Sequence, residues 1–429
     1  MTSRFWRVLP ALILSLCLLM LPGAVSAAKP RPPQPTFATV DDGVLSSFVS
    51  QLLTPSRFTR IESRVSVGCD DLVSPTELSD AMGVSESEIS VVEDQFLEIW
   101  AAAGIQAGML SCDWTGPSRG WTEGPQSHEI GPARAWIHVL PDAGADFHAF
   151  SDYFDPTQWG GAEYPTIGDL MGVGSWTSCF VNQLDRTCYG EFETDDYWVD
   201  YLFSGPVPFG TQDGTSTDPA VRFATSAQSA LSAGNPPSPR YRTPAGSLGP
   251  WESCALIDAD GAIRAIVGSP SLPAPPDDEE DAFRPNERDE VALESVEFVS
   301  CGWNQPAEYS DGSEPEIPLD EILELRLALL PGGEWAWPEV RMSTLAVSPR
   351  ANGASAEVVL PDGSNAVVVC FINQICQADV LIQHSLVSIS YSYRYRQSNP
   401  PSDEVLVAEG LQFLPALLDH LKAHSRTGD

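Results

Sequence analysis

The chain has 429 residues, enough for two or three domains, and an ordinary hydrophobic fraction of 43%. Its charge is unusual: 59 Asp and Glu stand against 23 Lys and Arg, a formal net charge of −36. Such a surface repels phosphate backbones and anionic headgroups, which argues against nucleic acid and the membrane surface as partners.

In chain order, Arg4 and Arg7 precede an apolar run over 9–21, broken by Pro22-Gly23 and followed by Val25-Ser26-Ala27. A short basic region, a short apolar run and small residues before Ala28 read as a secretory signal peptide over 1–27. The mature protein is then expected to be secreted or otherwise extracytoplasmic. Cys17 lies inside the apolar run after Leu16, which speaks against lipidation. No later run approaches the roughly 18 apolar residues of a spanning helix, so the mature chain predicts no membrane span. Residues 28–40 form a Pro-rich, extended leader. A helix over 41–53 opens the first of two domains.

Without Cys17, eight cysteines remain: Cys69, Cys112, Cys179, Cys188, Cys254, Cys301, Cys370 and Cys376. In an exported chain an even count reads first as disulfides. There is no CxxC pair and no histidine at ligand spacing from a cysteine, so no metal site is assigned.

The cysteines also mark a duplication. Cys69 opens CDDLVSPTELSDAMG, with Gly83 fourteen positions on; Cys254 opens CALIDADGAIRAIVG, with Gly268 fourteen positions on. Cys112-Asp-Trp114 corresponds to Cys301-Gly-Trp303. The apolar run ending at Leu140-Pro141 corresponds to the one ending at Leu330-Pro331. The sequence CFVNQLDRTC over 179–188 corresponds to CFINQIC over 370–376. Agreement in order, spacing and local sequence at five places predicts two copies of one unit. The first domain is placed at 41–234 and the second at 246–429. Between them, 235–245 is a linker whose prolines (NPPSPRYRTP) disfavour helix and central strand.

Within each copy the reading is helix, mainly antiparallel sheet, closing helix. Ser74-Pro75 predicts a helix start that ends at Gly83. Asp258-Ala-Asp260-Gly261 reads as a capping segment, because the later ligands of a calcium loop are missing. The segment 273–290 (PAPPDDEEDAFRPNERDE) is read as an acidic, disordered loop. Strands are expected at 296–301, 355–360, 365–372 and 387–395. Pro361-Asp362-Gly363-Ser364 makes a hairpin turn, and 387–395 alternates as a half-buried strand does. Closing helices are expected at 220–231 and 403–423. The fold class is α+β: two tandem homologous domains, each a mainly antiparallel sheet with helices on one face, stapled by disulfides. Four cysteines per copy allow three pairings. The favoured one is Cys69–Cys112, Cys179–Cys188, Cys254–Cys301 and Cys370–Cys376, with roughly 4 kcal/mol for each long closure and about 2.5 for each short one.

The frame Cys69, Leu72, Gly83, Cys112, Trp114, repeated as Cys254, Ile257, Gly268, Cys301, Trp303, resembles a group of actinobacterial cell-envelope proteins of unknown function, many of them lipoproteins. More distantly it resembles the disulfide-bonded extracellular sensor domains of actinobacterial serine/threonine kinases. The resemblance implies an extracytoplasmic binding or sensing role with no assigned enzymology. The duplication and the absence of a lipid anchor depart from it.

Catalytic signatures are sparse. Gly172-Val-Gly174-Ser175-Trp176 lacks the order of a nucleophile elbow, and no HExxH, phosphate loop or dinucleotide fingerprint occurs. His420 and His424 are helical neighbours near the C-terminus, where they favour the helix dipole. No catalytic residue and no cofactor is assigned. The aromatic residues Tyr153, Phe154 and Trp159 in copy one, with Trp335 and Trp337 in copy two, are the candidate ligand-binding residues, since aromatic faces beside acids and amides suit sugars or cationic peptides. The expected function is a secreted, non-enzymatic cell-envelope binding or sensing protein with an unknown envelope ligand or protein as partner. The alternatives are an exported carboxylate-dependent hydrolase of cell-wall sugar or peptide, and an interaction module for another envelope protein.

Overall fold

A computed structural model describes residues 60–92, 97–123, 126–151, 175–182, 185–206, 217–251, 253–275, 287–304, 322–350, 353–371, 375–393 and 402–427. All of these fall in one compact unit, Arg57–Asp429. The signal peptide, the leader and the helix expected at 41–53 lie outside the described residues.

The first copy runs α1 (Cys69–Leu72), α2 (Pro75–Met82), β1 (Ser90–Val91), α3 (Ile99–Ala107), β2 (Leu110–Glu123), β3 (Gln126–Pro141), α4 (Gly144–Ser151), β4 (Trp176–Asn182), β5 (Asp185–Thr194), β6 (Tyr197–Pro206) and α5 (Asp218–Ala233). The second runs β7 (Leu248–Trp251), α6 (Cys254–Ile257), α7 (Ala262–Ile266), α8 (Glu287–Ser295), β8 (Val299–Asn304), β9 (Ile322–Leu330), α9 (Trp337–Arg350), β10 (Ala354–Val359), β11 (Asn365–Cys370), β12 (Ile375–Ile382), β13 (Ser385–Tyr393), α10 (Asp403–His424) and β14 (Ser425–Thr427).

Local chemistry sets the helix ends. The Ser74 hydroxyl accepts from the Glu77 amide, Pro75 sits in the first turn, and Gly83 stops α2 at φ +63°. In the second copy Asp258 does the capping. Its Oδ1 accepts from the Ile263 amide at 2.9 Å, and its Oδ2 accepts from the Trp303 indole at 3.0 Å. Arg264 pairs with the same carboxylate at 2.9 Å. The tryptophan of the Cys-x-Trp motif is therefore tied to the cap of α7.

Each copy builds one six-stranded sheet, in the orders β1-β2-β3-β6-β5-β4 and β10-β11-β12-β13-β9-β8. Every neighbouring pair is antiparallel. Read from β8, the second order superimposes on the first over five strands: β2 on β8, β3 on β9, β6 on β13, β5 on β12 and β4 on β11. The four disulfides are those favoured from the spacing: Cys69–Cys112, Cys179–Cys188, Cys254–Cys301 and Cys370–Cys376. The long pair in each copy pins α1 to β2 or α6 to β8. The short pair joins directly opposed residues of β4 and β5, or of β11 and β12.

One face of each sheet carries a core of its own copy. Leu72, Met82, Phe203 and Phe223 pack beneath α2 and α5. Trp303, Leu327, Ile389 and Leu414 pack beneath α10. The opposite faces, for which the sequence pattern offers no cover, meet in a third core drawn from both copies. There α3 of the first copy packs on β9, β13 and α8 of the second, while α8 touches α4 of the first. The buried Gln106 on α3 locks this exchange. Its amide donates to the Pro331 carbonyl at 2.7 Å and accepts from the Trp335 indole at 3.0 Å.

Two differences from the sequence reading follow from this shared core. The strand expected at 387–395 is Ser385–Tyr393; its polar face is half-buried at Ser390 and Ser392, as the alternation predicts, but buried at Ser388, where the other copy packs over it. In the segment read as a disordered acidic loop, Glu287–Glu290 forms the first turn of α8, because Arg288 finds carboxylate partners across the copy boundary. Residues 276–286 lie outside the described residues.

Candidate functional site

The duplication allows the two copies to be compared residue by residue at this shared face. Helices α3 and α8 end alike, at Gly108 (φ +93°) and Glu297 (φ +56°). The amide that follows bonds back in the same way: Met109 to Gly104 at 3.0 Å, Phe298 to Leu293 at 2.9 Å. Ile99 therefore corresponds to Arg288, and Trp100 to Asp289. Cys188 and Cys376, with the two-residue turns after Thr194 and Ile382, place Glu191 on Asp379 and Asp200 on Ser388. The Leu-Pro ends of β3 and β9 place His138 on Ala328.

In the first copy this position is filled. Arg288, 2% exposed, reaches across from α8 to the buried Asp200 and also pairs with its neighbour Asp289. His138 Nδ1 lies 3.5 Å from the same Asp200, and its ring stacks on Trp136 with centroids 4.6 Å apart. Burial pushes the Arg288 guanidinium down from its ordinary value, while Asp289 and Glu191 act to hold its charge.

In the second copy the matching position is open. Ile99, Ala328 and Ser388 replace the arginine, the histidine and the aspartate with shorter or uncharged side chains. They leave a cavity of about 480 Å³, within the range of small-ligand sites. Glu98, at the N-cap of α3, forms one wall with Ile99 and Trp100. The polar face of the sheet forms the floor, through Ser300, Asn304, Arg326, Gln377, Ser388 and Ser390, and Asp289 of α8 closes a side. Trp100 is half-buried and held against Phe298, ring centroids 4.5 Å apart. Arg326 is turned to Glu324, 2.6 Å away.

Beneath Gln377 and Ser388 lies Asp379, with no exposed surface. Its Oδ2 accepts from the Thr344 hydroxyl at 2.5 Å and from the Gln377 amide at 3.0 Å. Burial pushes its carboxyl up to about 6. The neighbouring Ser388, Thr344 and Gln377 side chains oppose that shift, and the Glu98 charge adds to it.

Of the aromatic residues singled out from sequence, Trp335 and Trp337 do not line this cavity. Trp335 and Trp337 are 5% and 7% exposed and belong to the shared core. Their rings are spent on packing, and the Trp335 indole is spent on Gln106, so neither offers a ligand a face. Tyr153, Phe154 and Trp159 lie outside the described residues. The aromatic wall belongs instead to Trp100, which carries no motif of its own. Its signal was the helix correspondence that sets 99–100 on 288–289. His420 is tied through Nε2 to the Ile257 carbonyl at 2.6 Å. Among the described residues, no group of three or more His, Cys, Asp or Glu is arranged to hold a metal ion, and no helix is long and apolar enough to cross a membrane.

No protein-family model, curated protein or solved structure matches the chain.

Proposed function

We propose that the chain is an exported cell-envelope protein that binds or senses a small polar ligand without turning it over, and that the cavity over β8, β9, β12 and β13 is its binding site. One observation carries this reading: the two copies place equivalent positions on their shared face, and only the second is hollow. Hydroxyls of Ser300, Ser388 and Ser390, amides of Asn304 and Gln377, the Glu98 carboxylate and the Trp100 ring converge there, a mixture suited to oriented hydrogen bonding beside one aromatic wall. Export rests on the residue pattern of 1–27. It is supported by four disulfides, which persist in oxidising compartments. The Cys-x-Trp frame, through its resemblance to actinobacterial envelope proteins, points the same way.

A second reading, hydrolysis by paired carboxylates, has one observation in its favour: Asp379, raised to about 6, lies close enough to feel the Glu98 charge. It ranks lower because Asp379 has no exposed surface and its Oδ2 is already engaged by Thr344 and Gln377. The pair lacks the open approach that acid–base attack on a glycosidic bond needs. The test is a thermal-shift and mass-spectrometric screen of residues 28–429 against cell-wall sugars, muropeptides and cationic peptides. A ligand that raises the melting temperature and is recovered intact supports binding, with Trp100→Ala losing the shift. Recovery of a cleaved product would replace binding with hydrolysis.

A further inference from the structure

The first copy contains a template for what the second copy binds. At the filled position a guanidinium, that of Arg288 on the helix crossing from the other copy, is buried against the strand carboxylate of Asp200, with the Glu191 charge helping to hold it. At the hollow position the crossing helix brings Ile99 instead, and the cation is gone while a strand carboxylate remains. Asp379 stands at the register position of Glu191, fully buried behind the lining with Ser388, Thr344 and Gln377 against it, so it acts on the cavity through its field and not by contact. The carboxylates that line the cavity itself are Glu98, at the N-cap of α3, and Asp289 of α8.

The positive charges nearby are already committed. Arg326 is paired with Glu324, and Arg288 is directed away to Asp200 as well as to Asp289. The charged groups facing the cavity from α3, α8, β9 and β12 therefore carry more acid than base, in a chain whose formal net charge is −36. Such a field attracts cations and repels anions.

On the premise that the cavity is the ligand site, we propose that it receives the cationic group of a ligand, a guanidinium or primary ammonium, in the place that Arg288 takes in the first copy. The Trp100 ring forms the wall against which such a group packs. The serine and amide side chains of the sheet face accept and donate to the rest of the molecule. The removal of Arg288, His138 and Asp200 side-chain volume at the equivalent positions is what makes room.

The experiment is calorimetric titration of the chain with Nα-acetyl-arginine amide and with its uncharged isostere Nα-acetyl-citrulline amide, alongside neutral cell-wall sugars. The arginine probe should bind at least tenfold more tightly than the citrulline probe. Glu98→Gln should weaken the arginine probe about tenfold while the protein still unfolds cooperatively. Ile99→Arg, which rebuilds the plug of the first copy, should abolish binding.

Equal binding of the two probes, or binding of a neutral sugar alone that Ile99→Arg blocks, would sink the cation and keep the cavity. If no probe binds and neither variant changes anything, the cavity itself is not the site and both readings fall. If Ile99→Arg does not fold, Glu98→Gln and the probe pair decide the outcome without it.

Discussion

Asp379 is a residue whose charge state the fold opposes. In the unfolded chain it titrates near 3.8; in the folded chain burial holds it up to about 6. A raised carboxyl favours folding most below its unfolded value, and that contribution is lost as pH rises from about 4 through 6. The gap corresponds to at most about 3 kcal/mol. Asp379→Asn keeps the size and an acceptor for Thr344 but removes the titration. The variant should melt higher than the parent at pH 7, match it near pH 4, and lose the fall in stability between. Thermal midpoints at pH 4, 5, 6 and 7 check this, and an unchanged pH slope would refute it. Asp258 is a buried acid with both oxygens engaged. Two amides, an indole and Arg264 surround it, and its capping role was legible from Asp-x-Asp-Gly before a helix. Asp379 had no such local mark, because it reads simply as one polar residue in an alternating strand.

At the scale of the element, the two exchanged helices end in the left-handed region with different residues. Gly108 suits that conformation; Glu297 does not, since an L side chain there is strained. Glu297→Gly should stabilise the protein by about 0.5–1 kcal/mol. Gly108→Ala should do the reverse, and by more: a Cβ there would lie 2.2 Å from Arg64 Cδ. Arg64 cannot retreat easily. It is 6% exposed, its Nε donates to the Ser238 carbonyl at 2.6 Å, and its Nη2 meets Asp142 at 2.7 Å. Chemical denaturation of the two variants checks both signs, and a stabilised Gly108→Ala would show that the loop bearing Arg64 yields. The helix ends that carry sequence signatures, Ser74-Pro75 to Gly83 above all, were legible in this way. The start of α8 was not. Glu287-Arg288-Asp289-Glu290 has the composition of a solvated segment, and only a partner outside its own copy orders it.

For the whole molecule, the shared core means that the copies are not independent. Leu140, Phe147 and Trp198 from the first copy bury against α3 and α8, as do Leu330, Trp335 and Leu386 from the second. Separating residues 57–234 from 246–429 would expose that surface on both pieces, a patch of the kind that drives association. Each half expressed alone should therefore aggregate or bind a hydrophobic dye. Coexpressed halves should elute as a one-to-one complex with near-native circular dichroism. Two monomeric halves that each unfold cooperatively would contradict this. The contact through Gln106, Pro331 and Trp335 sets the register of the exchange, since any slip leaves buried polar groups without partners.

The residue pattern by itself determined the duplication, the α+β class and the antiparallel sheets, and it favoured, among three pairings per copy, the sulfur pairs that the structure shows. Each of these depends on short-range spacing: cysteine intervals, period-two alternation, a capping serine, a proline-rich joint. Alternation, however, says only that two faces of a strand differ. It does not say that the other copy packs over the polar face of β13 at Ser388, nor that Trp335 and Trp337 pack in the core between the copies. The cavity depends on which side chains from six separate segments, α3, α8, β8, β9, β12 and β13, arrive at one place. That meeting is a long-range contact between copies. It became visible only when the tertiary structure set Ile99 where its sister copy has Arg288.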